Sequence, residues 1–201
     1  MKKITLPPPN LSGQALSKIG FLAFFLTLSA CKLSFLPFNT SVLVQAERVS
    51  PVDLTYKRVL VVSYDTDLTR EFIISLKNYV QEELKTHTVT TERINIRKNA
   101  FTDDIADFNK LKMAFKPDYV LTIKVRDERF RNFVLIGSKV KVLRGMTLDM
   151  DIYPPASEKE SAMLWKSNAA INHFYNNEGV TTAKKMAKIL GMTMKKDGLV
   201  Q

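Results

Sequence analysis

The spacing of apolar positions changes along the chain, and the changes mark out its elements. Arg58-Val59-Leu60-Val61-Val62-Ser63-Tyr64 is an unbroken β-branched run, the pattern of a strand buried on both faces. Asp65-Thr66-Asp67 follows with turn and helix N-cap chemistry. Phe72, Leu76, Tyr79, Val80 and Leu84 then recur at helical spacing, which predicts an amphipathic helix over 68–86. Residues 88–94 read as a second strand of polar, edge-like character. Thr102-Asp103-Asp104 predicts the cap of a second helix with Ile105, Phe108, Leu111 and Phe115 inward, and Pro117 stops it. Residues 119–126 alternate as a third strand. This is a βαβαβ order, which normally builds a parallel sheet with right-handed crossovers.

Beyond it the pattern stays at period two. Phe133–Ile136 and Lys139–Leu143 flank Gly137-Ser138, a two-residue hairpin signal. Met146–Tyr153 alternates, Pro154–Ser161 makes a polar turn, and Met163–Ile171 returns as the next strand. Gly179 opens a last helix with Val180, Ala183, Ala187 and Leu190 inward and Lys184, Lys185 and Lys188 outward. Asp197-Gly198-Leu199 ends it. The predicted class is α/β: a βαβαβ unit, then antiparallel strands and a C-terminal helix, forming a mixed sheet with helices packed on it. The expected domain spans 57–201, with residues 31–56 as a tether and lead-in broken by Pro51.

Ahead of this domain stands Gly20–Ala30, an apolar run preceded by Lys2, Lys3 and Lys18. A basic start, a short apolar core and small residues before a cut are the parts of a secretory signal. The run is shorter than the ~20 residues of a membrane span. Its end, Leu28-Ser29-Ala30-Cys31, looks like a bacterial lipobox, and Cys31 is the single cysteine of the chain. Residues 1–30 are thus expected to be a lipoprotein signal peptide, with Cys31 acylated after the cut. In sorted lipoproteins an Asp after the cysteine retains the protein at the inner membrane. Lys32 stands here instead, which implies the outer membrane, facing the periplasm. Two other readings stay open. A cut after Ala46 would give a soluble periplasmic protein, and an uncleaved leader kinked at Pro37 would be an anchor.

Composition adds partner chemistry and excludes some classes. The formal charge is +10, and removal of residues 1–30 takes away three lysines and no acid, so a cationic excess survives. That excess suits anionic surfaces such as lipid head groups. Lys124, Arg126, Arg129, Arg131, Lys139 and Lys141 would line one face of adjacent strands beside Phe130 and Phe133, a surface for a polyanion or a protein partner. A nucleic-acid surface could look alike, though Asp127 and Glu128 interrupt it. The first strand is followed by no glycine-rich phosphate loop. His87 and His173 have no partner at zinc-ligand spacing, so neither metal nor cofactor is expected. Asp65 and Asp67 at a strand's C-terminal end could bind Mg²⁺ in an enzyme, although helix capping is the plainer role. Trp165 reads as packing.

"Pro-Asp-Tyr-Val-Leu" at 117–121, the Asp-containing strand over Leu148–Tyr153, the polar turn after it and "Leu-Trp-Lys" at 164–166 together resemble a known group. They are similar to small envelope lipoproteins with a domain like the N-terminal domain of TolB, among them lipoproteins that activate penicillin-binding proteins. The resemblance spans about residues 55–200. It implies a non-enzymatic part in docking on, or assembling, envelope proteins.

Overall fold

A computed structural model describes residues 40–66, 69–97, 102–135, 138–156, 160–172 and 179–201. They form a six-stranded mixed sheet with helices on it, in the order β1 (Ser41–Arg48), β2 (Arg58–Asp65), α1 (Arg70–Thr86), β3 (Thr90–Arg97), α2 (Thr102–Phe115), β4 (Tyr119–Leu135), β5 (Ser138–Tyr153), β6 (Trp165–Asn172) and α3 (Gly179–Lys196). Across the sheet the strands run β1-β6-β5-β4-β2-β3. The predicted α/β class holds. β2 pairs in parallel with β3 on one side and β4 on the other, while β4, β5, β6 and β1 pair antiparallel.

Two layers of helix follow from the residue pattern. On one face of the sheet lie α1 and α3, packed on each other. Phe72, Leu76, Val80 and Leu84 from α1 and Ala183, Met186, Ala187, Leu190 and Met194 from α3 join Val59, Val61, Leu121, Ile123, Leu148, Met150 and Ile152 in the main core. On the other face α2 covers only the β2–β3 end, where Phe108, Leu111 and Phe115 meet Leu60, Val62, Ile96 and Val120. β2 is therefore apolar at consecutive positions because helices cover both its faces. β5 alternates because helices cover one.

Several expectations are corrected. The stretch 31–56 is not all tether and lead-in, because residues 41–48 form β1, paired along its length with β6 from Ser41↔Asn172 to Arg48↔Trp165. The folded unit begins at Thr40, not at residue 57. Val42, Val44 and Ala46 turn toward the core, and Leu43 is left 58% exposed on the other side. Residues 127–132, which lay between the predicted strands, are the middle of β4, which runs unbroken for 17 residues. The register shift at Val125/Asp127 leaves Arg126 extra on β4, and the one at Arg129/Phe130 leaves Arg144 extra on β5, so the pairing returns to its first register. β4 leaves β2 after Lys124, and past the Arg129↔Gly145 pair only β4 and β5 pair with each other, so the tip is a two-stranded ribbon. Ile105 and Val180, expected inward, are 53% and 58% exposed, each in the first turn of its helix.

The two long helices end alike. Thr88 (φ 62°) and Gly198 (φ 71°) take the left-handed conformation just past α1 and α3. The next residue's N–H then returns to the last turn: Val89 to the Leu84 carbonyl at 3.3 Å, Leu199 to that of Met194 at 2.9 Å. Val89 and Leu199 are both buried, so each cap also closes an apolar contact.

Candidate functional site

The half of the sheet that α2 leaves open is polar by construction. In β5, Leu148, Met150 and Ile152 face the helices, which sends Asp149, Asp151 and Tyr153 to the opposite side. In β6, Trp165, Ala169 and Ile171 face the helices, which sends Lys166 and Asn168 the same way. Lys124 and Arg126 from β4 and Gln45 and Glu47 from β1 complete the rim of an open concavity of about 610 Å³.

Its charges are arranged in pairs. Arg126 forks onto Asp149, with Nη2 to Oδ1 and Nε to Oδ2 both at 2.8 Å. Asn168 Nδ2 donates to the same carboxylate at 3.0 Å. Asp151 is buried one step on, and burial, followed by the nearby Asp149 charge, pushes its carboxyl above the usual range. The Tyr153 hydroxyl donates to Asp151 at 3.3 Å. Lys124 stands 5.0 Å from the centre of the Tyr64 ring and 5.8 Å from that of Tyr153. Lys166 reaches Glu47 at 2.8 Å across the β6–β1 seam, an exposed pair that solvent screens. A concavity of paired charges with tyrosine walls can grip polar or charged groups of a partner.

The six predicted cations do not make one stripe. Lys124 and Arg126 belong to the concavity. Arg129 lies across Gly145 of β5 to donate to the Ile171 carbonyl at 3.2 Å and to Asn172 Oδ1 at 2.6 Å on β6. It is a staple between strands rather than a free cation. A Cβ at Gly145 would stand 2.7 Å from the Ile171 carbonyl oxygen and 2.9 Å from Arg129 Nη2, so glycine is what lets the guanidinium pass. Arg131 is exposed on the ribbon. Lys139 and Lys141 take their places in β5 opposite Val134 and Asn132, and their side chains lie outside the described residues. One bulge at Arg126 in β4 and another at Arg144 in β5 break the alternation that a single stripe requires.

Asp65 does not cap α1. It is 2% exposed and turns inward, where Asn95 Nδ2 donates to it at 2.7 Å and Arg70 Nε lies at 3.8 Å. Thr69 occupies the N-cap position instead. Asp67, the other half of the expected pair, lies outside the described residues, as do Cys31 and the preceding Leu28, Ser29 and Ala30. Near Asp65, the Lys77 ammonium is buried under α1, and burial, then the Arg93 charge, holds it down to about 8. Among the described residues no three His, Cys, Asp or Glu side chains come together as metal ligands. His87 is engaged with the Gln201 carbonyl at 2.7 Å. Trp165 is fully buried packing, as its sequence setting indicated.

Asp149 and Asp151 were not singled out by sequence reasoning. The alternation of Met146–Tyr153 puts two carboxylates on the polar side of one strand, and that signal was available.

No protein-family model matches the chain, and no curated protein matches it in sequence. Solved structures similar to it include the PelC dodecamer from Paraburkholderia phytofirmans, 14% identical over 75% of this chain and 96% of that one, with a TM-score of 0.49. Lipoprotein GNA1162 from Neisseria meningitidis is 14% identical over 68% of this chain and 99% of that one, with a TM-score of 0.37. A minor lipoprotein from Acinetobacter baumannii is 13% identical over 73% and 98%, with a TM-score of 0.31.

Proposed function

We propose that this chain is a bacterial outer-membrane lipoprotein, anchored through acylated Cys31 and facing the periplasm. There it serves as a non-enzymatic binding or assembly module for envelope proteins, with the open sheet face around Lys124, Arg126, Asp149 and Asp151 as its contact surface. The observation that carries the reading is the position of Leu28-Ser29-Ala30-Cys31 at the end of an apolar leader, just upstream of a sheet that begins at Ser41. A cut before Cys31 keeps β1 whole and leaves a short tether. A cut after Ala46 would remove most of β1, strip β6 of its partner and uncover Ile171 and Ala169, both fully buried. The sheet edge thus favours the earlier cut.

Intact mass of the protein extracted from membranes, beside a Cys31→Ala variant, tests this. A mature chain that begins at Cys31 and carries three acyl chains is expected, with no acylation in the variant. A chain beginning at Glu47 without lipid, or one still beginning at Met1, would overturn it.

A further inference from the structure

α3 runs for 18 residues with lysines at 184, 185, 188, 195 and 196 and no acid. All five lysines are exposed, and none of them forms an ion pair among the described residues. At 3.6 residues per turn they fall on one side of the helix, opposite Ala183, Met186, Leu190 and Met194 in the core. Met192, 55% exposed, sits among them, and Val180, 58% exposed, stands at their margin in the first turn. α1, packed alongside, is ordinary by comparison: Glu71, Glu82 and Glu83 mix with Arg70, Lys77 and Lys85. A surface that serves only solubility normally intersperses both signs.

We infer that the outer face of α3 docks on an anionic phospholipid surface. Three features fit that occupant together. The charge is of one sign and carried by lysines, whose long stems keep the ammonium at head-group level while the helix lies in the plane of the interface. Exposed Met192 projects from within the lysine array, where a shallow acyl boundary would receive it, with Val180 at the margin of the array. Finally, α3 packs against β1, the strand that leads out of the tether, and an extended tether from Cys31 to Thr40 spans at most roughly 30 Å. This third feature rests on the lipid anchor proposed above; the first two stand without it. The anchor then supplies proximity and α3 supplies orientation, so that two weak membrane contacts act together.

The test uses protein purified from membranes, bound to vesicles of pure phosphatidylcholine and to vesicles of equimolar phosphatidylcholine and phosphatidylglycerol. Binding to the neutral vesicles reads the anchor, and the increment on the anionic ones reads α3. The increment is expected to vanish as salt is raised, because screening shortens to a few ångströms. A Lys184→Glu, Lys185→Glu, Lys188→Glu variant is expected to lose on the order of a hundredfold of the anionic affinity while its neutral-vesicle binding is unchanged. A Lys195→Glu, Lys196→Glu variant at the other end of α3 gives a second reading if the triple variant does not fold. An increment that survives salt and both variants would overturn the inference. So would a lysine face that binds soluble polyphosphate but leaves the two kinds of vesicle equal. Loss of neutral-vesicle binding in Cys31→Ala, or its retention there, bears on the anchor alone.

Discussion

The indole Nε1 of Trp165, at the start of β6, donates to Asp197 Oδ2 at 2.8 Å, just past the end of α3. The same corner is held from outside by Arg48, whose Nη1 donates to the Asp197 carbonyl and Nη2 to that of Val52, both at 3.0 Å. Strand, helix end and chain entry meet there. The indole ring is fully buried, so its one donor has no water to turn to.

Asp197→Ala is therefore expected to destabilise the fold by about 1–3 kcal/mol, the cost of a buried donor left without an acceptor. Asp197→Asn, which keeps an acceptor oxygen, is expected to lose less. Denaturant unfolding followed by Trp165 fluorescence, the single tryptophan of the chain, measures both.

Gly145 gives the second prediction. Its missing side chain lets Arg129 cross to β6, so Gly145→Ala must displace either the guanidinium or the Ile171 carbonyl. A loss of roughly 1–3 kcal/mol, the usual cost of an overpacked site, is expected. Arg129→Ala made together with it should cost less than the sum of the two single changes, because the two positions share one contact. A double-mutant cycle in urea reads the coupling.

Lys77 gives a pH dependence with a definite sign. Its ammonium loses its proton at about 8 in the folded chain and near the ordinary 10.5 once unfolded. Between those values the unfolded state binds more protons, so stability rises with pH across that window. Lys77→Met is expected to raise stability at neutral pH and to flatten the rise. Asp151 works in the acid range. Its raised pKa means that stability falls as pH climbs out of the usual carboxylate range, and Asp151→Asn should remove that slope. Unfolding free energies measured across pH separate the two groups.

How far the fold could be read from the residues depended on what covers each element. β2 and α1 were legible because burial on both faces or on one helical stripe imposes a simple period. The end of α3 was legible because Gly198 marks a left-handed turn. β1 was obscured by its neighbours: Leu33–Phe38 extends the apolar character of the leader, and Ser41–Val44 looked like more of the same although it alternates. The middle of β4 was misread because the bulge at Arg126 flips its period, so that the inward positions pass from Leu121, Ile123 and Val125 to Phe130. The candidate site suffered from the same cause. Reading Lys124 to Lys141 as one stripe assumed strict alternation, which the bulges at Val125/Asp127 and Arg129/Phe130 suspend. Asp65 shows the limit of local rules, since a residue with ideal capping chemistry was drawn inward by Asn95 on the next strand.

Among the described residues β1 is the first strand in the chain and the last in the sheet, and this has a mechanical meaning. A pull on the tether enters at Ser41 and runs down the strand toward Arg48, while β6 beside it holds Asn172 to Trp165 in the opposite direction. The load then falls in shear on the whole ladder at once, in place of peeling it open rung by rung. On the anchor proposed above, the domain would hang by its edge strand and be strongest along the axis in which it is tugged.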